Sequence, residues 1–190
     1  VYRQYHNELK EKKPDIRMLV NAAGFGKSGT FSEIASEDKK LQPDMIDLNC
    51  RALTRMIQLS LPRMSKGSRI INLASAAAFC PQNGFAVYAA TKAYVLSLSR
   101  ALSSELRSRG IIVTAVCPGP VDTEFFQVSG ELTDPLKKLT MAKAPAVVHK
   151  ALKDSRKRRE VSVYGASMKA ARIGACLLPH RLILRAEELL

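Results

Sequence analysis

An α/β domain built on a parallel sheet is the fold class this sequence predicts, and three observations carry that reading. Short apolar, β-branched runs alternate with longer stretches of helical periodicity, the pattern of strands joined by crossover helices. The candidate strands end in polar or glycine-containing turns. The chain has 190 residues, 46% of them hydrophobic, which suits one domain with a buried core.

Residues 2–12 read as a polar helix that stops before Pro14. Met18-Leu19-Val20-Asn21 reads as a buried strand, closed by Ala22-Ala23-Gly24. From about Pro43 to Met64 apolar residues recur at helical spacing: Met45, Ile46, Leu48, Leu53, Met56, Ile57 and Leu61. Arg69-Ile70-Ile71-Asn72-Leu73 is the second strand and delivers Ser75 just past its end. Residues 86–108 form an alanine- and leucine-rich helix with Gly110 behind it. Ile111 to Val116 is a third strand, stopped by Cys117-Pro118-Gly119-Pro120. Residues 122–141 read as an irregular or weakly helical loop over the site. A helix at about 145–157, a short strand at Val161–Tyr164 and a helical segment over 165–190 complete a single domain.

Composition narrows the function classes. No apolar run approaches the roughly 18 residues that a membrane span requires, and the first residues lack the apolar stretch of a signal peptide. Cys50, Cys80, Cys117 and Cys176 are widely spaced and form no metal-binding pattern, which predicts reduced thiols, no metal and a cytoplasmic setting. The net charge of +13 is concentrated toward the ends, in Lys10, Lys12 and Lys13 and in Arg156-Lys157-Arg158-Arg159. No interleaved aromatics accompany these charges, so the charge argues for attraction of an anionic ligand rather than for nucleic-acid binding.

Tyr88 and Lys92 carry the chemistry. Four residues apart on a helix, they share one face. A free phenol, with pKa about 10, exchanges protons poorly near neutrality. A fixed ammonium beside it is expected to lower that value, and Ser75 can hold a substrate oxygen next to the phenol. In an open parallel sheet ligands bind beyond the carboxyl ends of the strands. Asn21 to Gly24, Ser75 and Pro118-Gly119 all follow strand ends, and the crossover helix returns Tyr88 and Lys92 to the same rim. Ser75 also suits a cap for the segment behind it, and Thr123 a helix N-cap.

These residues together resemble the short-chain dehydrogenase/reductase family. The matching pieces are Leu19-Val20-Asn21-Ala22-Ala23-Gly24, Asn49, Leu61-Pro62-Arg63-Met64, Ser75, Tyr88-x-x-x-Lys92, and Pro118-Gly119-Pro120-Val121-Asp122-Thr123. The resemblance runs from residue 1 to about 165 and implies a Rossmann-like doubly wound sheet. It implies hydride transfer between NADP or NAD and a carbonyl or secondary alcohol. Tyr88 would be the general acid or base. Lys92 would lower its pKa and hold the nicotinamide ribose, Ser75 would orient the substrate oxygen, and Asn49 would hold a water leading to Lys92. Asn21, Ala22, Ala23 and Gly24 would pass the adenosine half, while Pro118, Gly119, Val121 and Thr123 would line the nicotinamide and pyrophosphate side. Ala22 stands where the family often carries a second asparagine. The family's helices matching 43–64 and 86–108 imply a homodimer or tetramer.

One departure is large. A dinucleotide fold opens with a strand, a glycine-rich turn and a helix N-terminus, and twenty residues before Asn21 cannot hold them. Gly24-x-Gly26-x-x-Gly29 fits the glycine pattern formally but follows the wrong strand, and it reads as a loop with no helix opening there. The sequence is therefore expected to be a partial, incomplete version of a longer enzyme, with the strand at 18–21 left as a sheet edge and cofactor binding weakened. The alternative function is a non-catalytic fragment or binding module. Phe125, Phe126, Leu132, Leu136 and Leu139 point to a small apolar carbonyl or alcohol as substrate. The C-terminal segment reads as a helix over the substrate cleft or a subunit contact, with peripheral membrane contact through its basic and apolar faces as the sharper alternative.

Overall fold

The computed structural model describes residues 2–130 and 141–187. In chain order, α1 (Tyr2–Lys12) leads to β1 (Met18–Asn21), α2 (Phe31–Glu37) and α3 (Leu41–Ile46). A π-helical turn over Asp47–Ala52 joins α3 to α4 (Leu53–Ser60), and a 3-10 turn at Leu61–Arg63 precedes β2 (Arg69–Leu73). Then come α5 (Ala86–Glu105), β3 (Ile112–Val116), β4 (Val121–Asp122) and α6 (Phe125–Ser129). After the undescribed stretch, β5 (Ala142–Lys143) leads to α7 (Ala144–Arg156), β6 (Val161–Ser162), α8 (Ala166–Leu177) and α9 (His180–Glu187).

β1, β2, β3 and β6 form one parallel sheet in that order, with Leu19 opposite Ile70 and Ile70 opposite Val113. Alternation along each strand assigns the two faces. Leu19, Ile70, Val113 and Ala115 pack with Leu53, Ile57 and Val95 of α4 and α5 in the main core. Ile71 and Val116 face the other way, against Val147 and Ala151 of α7. The α7 layer does not bury Met18 and Val20, which are 43% and 53% exposed. The strand read as buried is therefore a half-covered edge, as the expectation of a sheet edge required.

The elements differ from the sequence reading at several points. The helix expected over 43–64 starts at Leu41, and the π-turn widens its middle. The helix expected to reach residue 108 ends at Glu105. The last strand keeps only Val161–Ser162. A helix does open after the glycines: Thr30 caps α2 by accepting from the Glu33 amide at 3.3 Å, and Glu33 accepts the Thr30 N–H at 2.8 Å. This capping box was present in the sequence as Thr30-x-x-Glu33 and is the signal that the loop reading passed over. The loop of 122–141 contains β4, paired with β5, and the short α6; its residues 131–140, including Leu132, Leu136 and Leu139, lie outside the described residues.

A buried carboxylate ties α7 to the sheet. Asp154 accepts from Lys150, from Ser162 Oγ at 2.8 Å and from Arg159 Nη1 at 3.2 Å. Burial pushes its pKa up, but the hydrogen bonds from Lys150 and Ser162 and the charges of Lys150 and Arg159 outweigh burial and hold it low.

Candidate active site

The loops behind β1, β2 and β3 and the start of α5 enclose a cavity of about 830 Å³. Ser75, Tyr88 and Lys92 line it together, as do Ala22, Gly24, Pro118, Gly119, Val121 and Thr123. The one-rim argument from strand ends thus meets its structural counterpart. Asn21, Ala23 and Asn49 are not among the residues that line it. Asn21 is instead a strut: its Nδ2 donates to Asn72 Oδ1 at 2.8 Å, and Asn72 Nδ2 donates to Ser99 Oγ of α5 at 2.9 Å.

Asn49 sits in the middle of the π-turn and is 1% exposed. Its Nδ2 donates to the Phe25 carbonyl at 2.9 Å and to Thr91 Oγ1 at 3.0 Å, while its Oδ1 accepts the Phe25 N–H at 3.1 Å. One amide side chain therefore pins the loop behind β1 from both sides of a single residue and ties it to α5. Gly24 is why the loop can come so close. A Cβ at that position would lie 2.7 Å from Asn49 Oδ1 and 3.4 Å from Lys92 Nζ. A π-turn within an α-helix often marks a functional site, and here it aims the residue that fixes the cavity wall.

Ser75 has extended backbone and caps the 3-10 turn Ala76–Ala78 by accepting from the Ala77 amide at 3.2 Å. Its hydroxyl also lowers the Tyr88 phenol, against burial, so the residue that caps the turn also borders the cavity. The Ala76 N–H donates to the Pro118 carbonyl at 2.8 Å and fastens the β2 and β3 loops to each other. Thr123 Oγ1 accepts the Phe125 N–H at 3.4 Å at the cavity wall, but the N-cap of α6 is Glu124 rather than Thr123.

The electrostatics correct one expectation. Burial pushes the Tyr88 phenol up from its ordinary value to about 12, against the lowering effect of the Ser75 hydrogen bond. Burial lowers Lys92 to about 8, opposed by Cys50 and Cys117. The Lys92 ammonium lies 5.5 Å from the centroid of the Tyr88 ring and donates to the Leu73 carbonyl at 2.8 Å. Spacing had suggested a phenol lowered by its lysine; packing into the apolar wall reverses the sign.

That wall holds the residues sequence reasoning missed. Phe85 stacks on Tyr88 at 4.4 Å between centroids, and Phe125 approaches at 5.5 Å. Gly26 seats its backbone against the same ring, since a Cβ there would stand 2.8 Å from Tyr88 Cδ2. Met45 closes this cluster from α3. Met168 and Ala171 of α8 line the opposite side of the cavity, consistent with a C-terminal helix over the cleft. Phe85 carries no sequence pattern that would mark it, and Gly26 stood only in a glycine pattern read as a loop.

Known proteins are similar to this chain in sequence and fold. A family profile described as short chain dehydrogenase matches residues 2–133. An uncharacterized oxidoreductase of Staphylococcus epidermidis is 39% identical over 110 residues, covering 57% of this chain and 46% of that protein. Dehydrogenase/reductase SDR family member 6 of Rattus norvegicus is 34% identical over 127 residues, covering 65% of this chain and 49% of the other. The chain thus spans about half the length of the curated relatives it matches. Among solved structures, a short-chain dehydrogenase from Sphingobium yanoikuyae in complex with NADPH aligns with a TM-score of 0.74 at 32% identity, covering 92% of this chain and 68% of that one. The profile spans most of the chain and takes in β1, β2, β3, the π-turn, Ser75, Tyr88 and Lys92, and on that ground the chain belongs to the short-chain dehydrogenase family.

Proposed function

We propose that this protein is an NAD(P)-dependent oxidoreductase that interconverts an apolar carbonyl compound and its alcohol, with Tyr88 moving the proton. The observation that carries the reading is that Ser75, a buried Tyr88 and Lys92 line one cavity. A substrate carbonyl oxygen seated there accepts from both hydroxyls. At neutral pH Tyr88 holds its proton and can give it to a substrate carbonyl oxygen. Phe85, Phe125 and Met168 give the substrate an apolar enclosure.

The cavity fits the nicotinamide-ribose half of a dinucleotide, and NADPH is the ligand of the similar Sphingobium structure. Lys92 has three N–H donors, of which one is used on Leu73, leaving donors for ribose hydroxyls. Pro118, Gly119, Val121 and Thr123 would border the ring, and Ala22 and Gly24 are small enough for close approach. When bound, the dinucleotide supplies or accepts the hydride. Gly24-x-Gly26-x-x-Gly29 is not a phosphate cradle, because the Glu33 carboxylate already occupies the helix end behind it. Exposed Ile46, Leu48 and Tyr94 on the helices around residues 41–60 and 86–105 support self-association into a homodimer or tetramer.

The test is nicotinamide fluorescence on adding NADPH or NADH to the protein, followed by a carbonyl screen with Tyr88→Phe as the control. Binding in the micromolar range and turnover lost in the variant are the expected results. A folded protein that binds neither dinucleotide instead fits a non-catalytic binding module.

A further inference from the structure

We propose that the outer face of α8 and α9 docks on an anionic lipid surface. Leu178-Pro179 separates the two helices, and every residue from Cys176 to Leu182 is exposed. The apolar side chains of this corner are large: Ile173, Leu177, Leu178 and Leu182 are 61%, 76%, 52% and 52% exposed. Ile173 and Leu177 share one stripe of α8 at i, i+4, while Met168 and Ala171 of the same helix line the cavity. The corner is anchored, since Asn83 Nδ2 donates to the Leu184 carbonyl at 3.4 Å.

Charge selects the occupant. Residues 161–186 contain no Asp or Glu but hold Lys169, Arg172, Arg181 and Arg185; Glu187 at the end of α9 and Glu188 follow, which leaves residues 161–190 net positive. Lys169, Arg181 and Arg185 are exposed, and none forms a salt bridge with a carboxylate among the described residues. Elsewhere on the surface Arg51, Lys27 and Arg100 each have an acidic partner. A second copy of this face would set cation against cation. Leucines inserting at headgroup depth with arginines reaching phosphate satisfy both halves of the surface at once. Among the described residues no helix is long and apolar enough to cross a membrane, so the contact lies in the interface plane.

Vesicle flotation of the purified protein tests this and needs neither cofactor nor turnover, so it stands apart from the oxidoreductase reading. The expected result is flotation with phosphatidylcholine vesicles containing phosphatidylserine, weaker flotation with phosphatidylcholine alone, and loss between about 0.1 M and about 1 M salt as screening tightens. Arg181→Gln with Arg185→Gln should weaken binding ~30-fold, and Leu177→Ser with Leu182→Ser by more than ~10-fold. All four positions are exposed, and matching far-UV circular dichroism checks that the variants fold. Absence from the floated fraction at low salt, or flotation unchanged in both pairs, overturns the proposal. So does a dimer that the Leu177/Leu182 pair dissociates without any vesicle binding, which would give the face to a second copy.

Discussion

Asn49 offers the sharpest test of how the cavity is held. Asn49→Ala removes two hydrogen bonds to the Phe25 backbone, at 2.9 and 3.1 Å, and one to Thr91 Oγ1 at 3.0 Å. A neutral hydrogen bond contributes about 0.5–1.5 kcal/mol net, and a buried group left without its partner costs about 1–3 kcal/mol. Thr91 keeps its bond to the Tyr88 carbonyl at 2.8 Å, so its share falls at the low end. Phe25 is only half-buried, so water can re-pair part of its backbone. Together these give about 2–4 kcal/mol, or about 5–15 °C in melting temperature for a domain of this size.

Thermal unfolding by circular dichroism reads the total, and hydrogen exchange at the Phe25 amide reads the clamp itself. Asn49→Asp sharpens the test. It preserves size and one acceptor but turns the donor that meets the Phe25 carbonyl into a second oxygen, so it should destabilise at least as much as alanine. A melting shift below about 2 °C, with the Phe25 amide protected as before, refutes the reasoning, because it means that the loop is held by something other than this side chain.

The aromatic wall makes a related prediction: Gly26→Ala places a methyl 2.8 Å from Tyr88 Cδ2 and 3.0 Å from Phe85 and Phe125 ring atoms. Overpacking of this kind costs about 1–3 kcal/mol, and melting with near-UV dichroism should show both the loss and the displaced rings. Of the five tyrosines, Tyr88 should be the one titrating near 12, as an absorbance titration compared with Tyr88→Phe will show. Lys92 is lowered from 10.5 to about 8, so the folded state binds fewer protons between those values; its burial cost is fully present below about 8 and is relieved as pH rises. Melting temperature should therefore climb from pH 8 toward pH 10, and Lys92→Met should flatten that climb. Asp154, held low, contributes stability above its unfolded pKa that is lost as pH falls through its folded value; Asp154→Asn should remove that acid-side slope and cost about 1.5–3 kcal/mol at neutral pH by denaturant titration.

How far the sequence was legible follows from which interactions are local. Met18–Asn21 and Arg69–Leu73 emerged with correct ends because β-branched runs between turn residues are a local signal. The shared rim of Ser75, Tyr88 and Lys92 was legible too, since strand direction and crossover geometry fix it without side-chain detail. The π-turn was not, because one extra residue in a turn barely disturbs the apolar periodicity of 43–64. Nor could residue type reveal that Asn21 is a strut rather than part of the lining, since that depends on Asn72 and Ser99 in two other elements.

The sign of the Tyr88 shift shows where spacing stops being informative. A lysine one helical turn away supplies a charge whose effect can be anticipated, but the balance is set by burial. Phe85, Phe125, Gly26 and Met45 come from four separate segments and close over the phenol. The same enclosure weakens the opposing influence: Lys92 is itself lowered to about 8 and directs a hydrogen to Leu73. Both groups are pushed toward their neutral forms, as desolvation requires. At neutral pH Lys92, still below its own pKa, keeps its charge while Tyr88 keeps its proton. A hydroxyl in that state, in the same cavity as Ser75, can give a proton to a carbonyl oxygen without first acquiring one. Abstracting a proton from an alcohol would require the phenolate, which this pocket disfavours. The raised value of the phenol therefore comes from the aromatic wall, and opening that wall to water should lower it before it disturbs the Tyr88–Lys92 spacing.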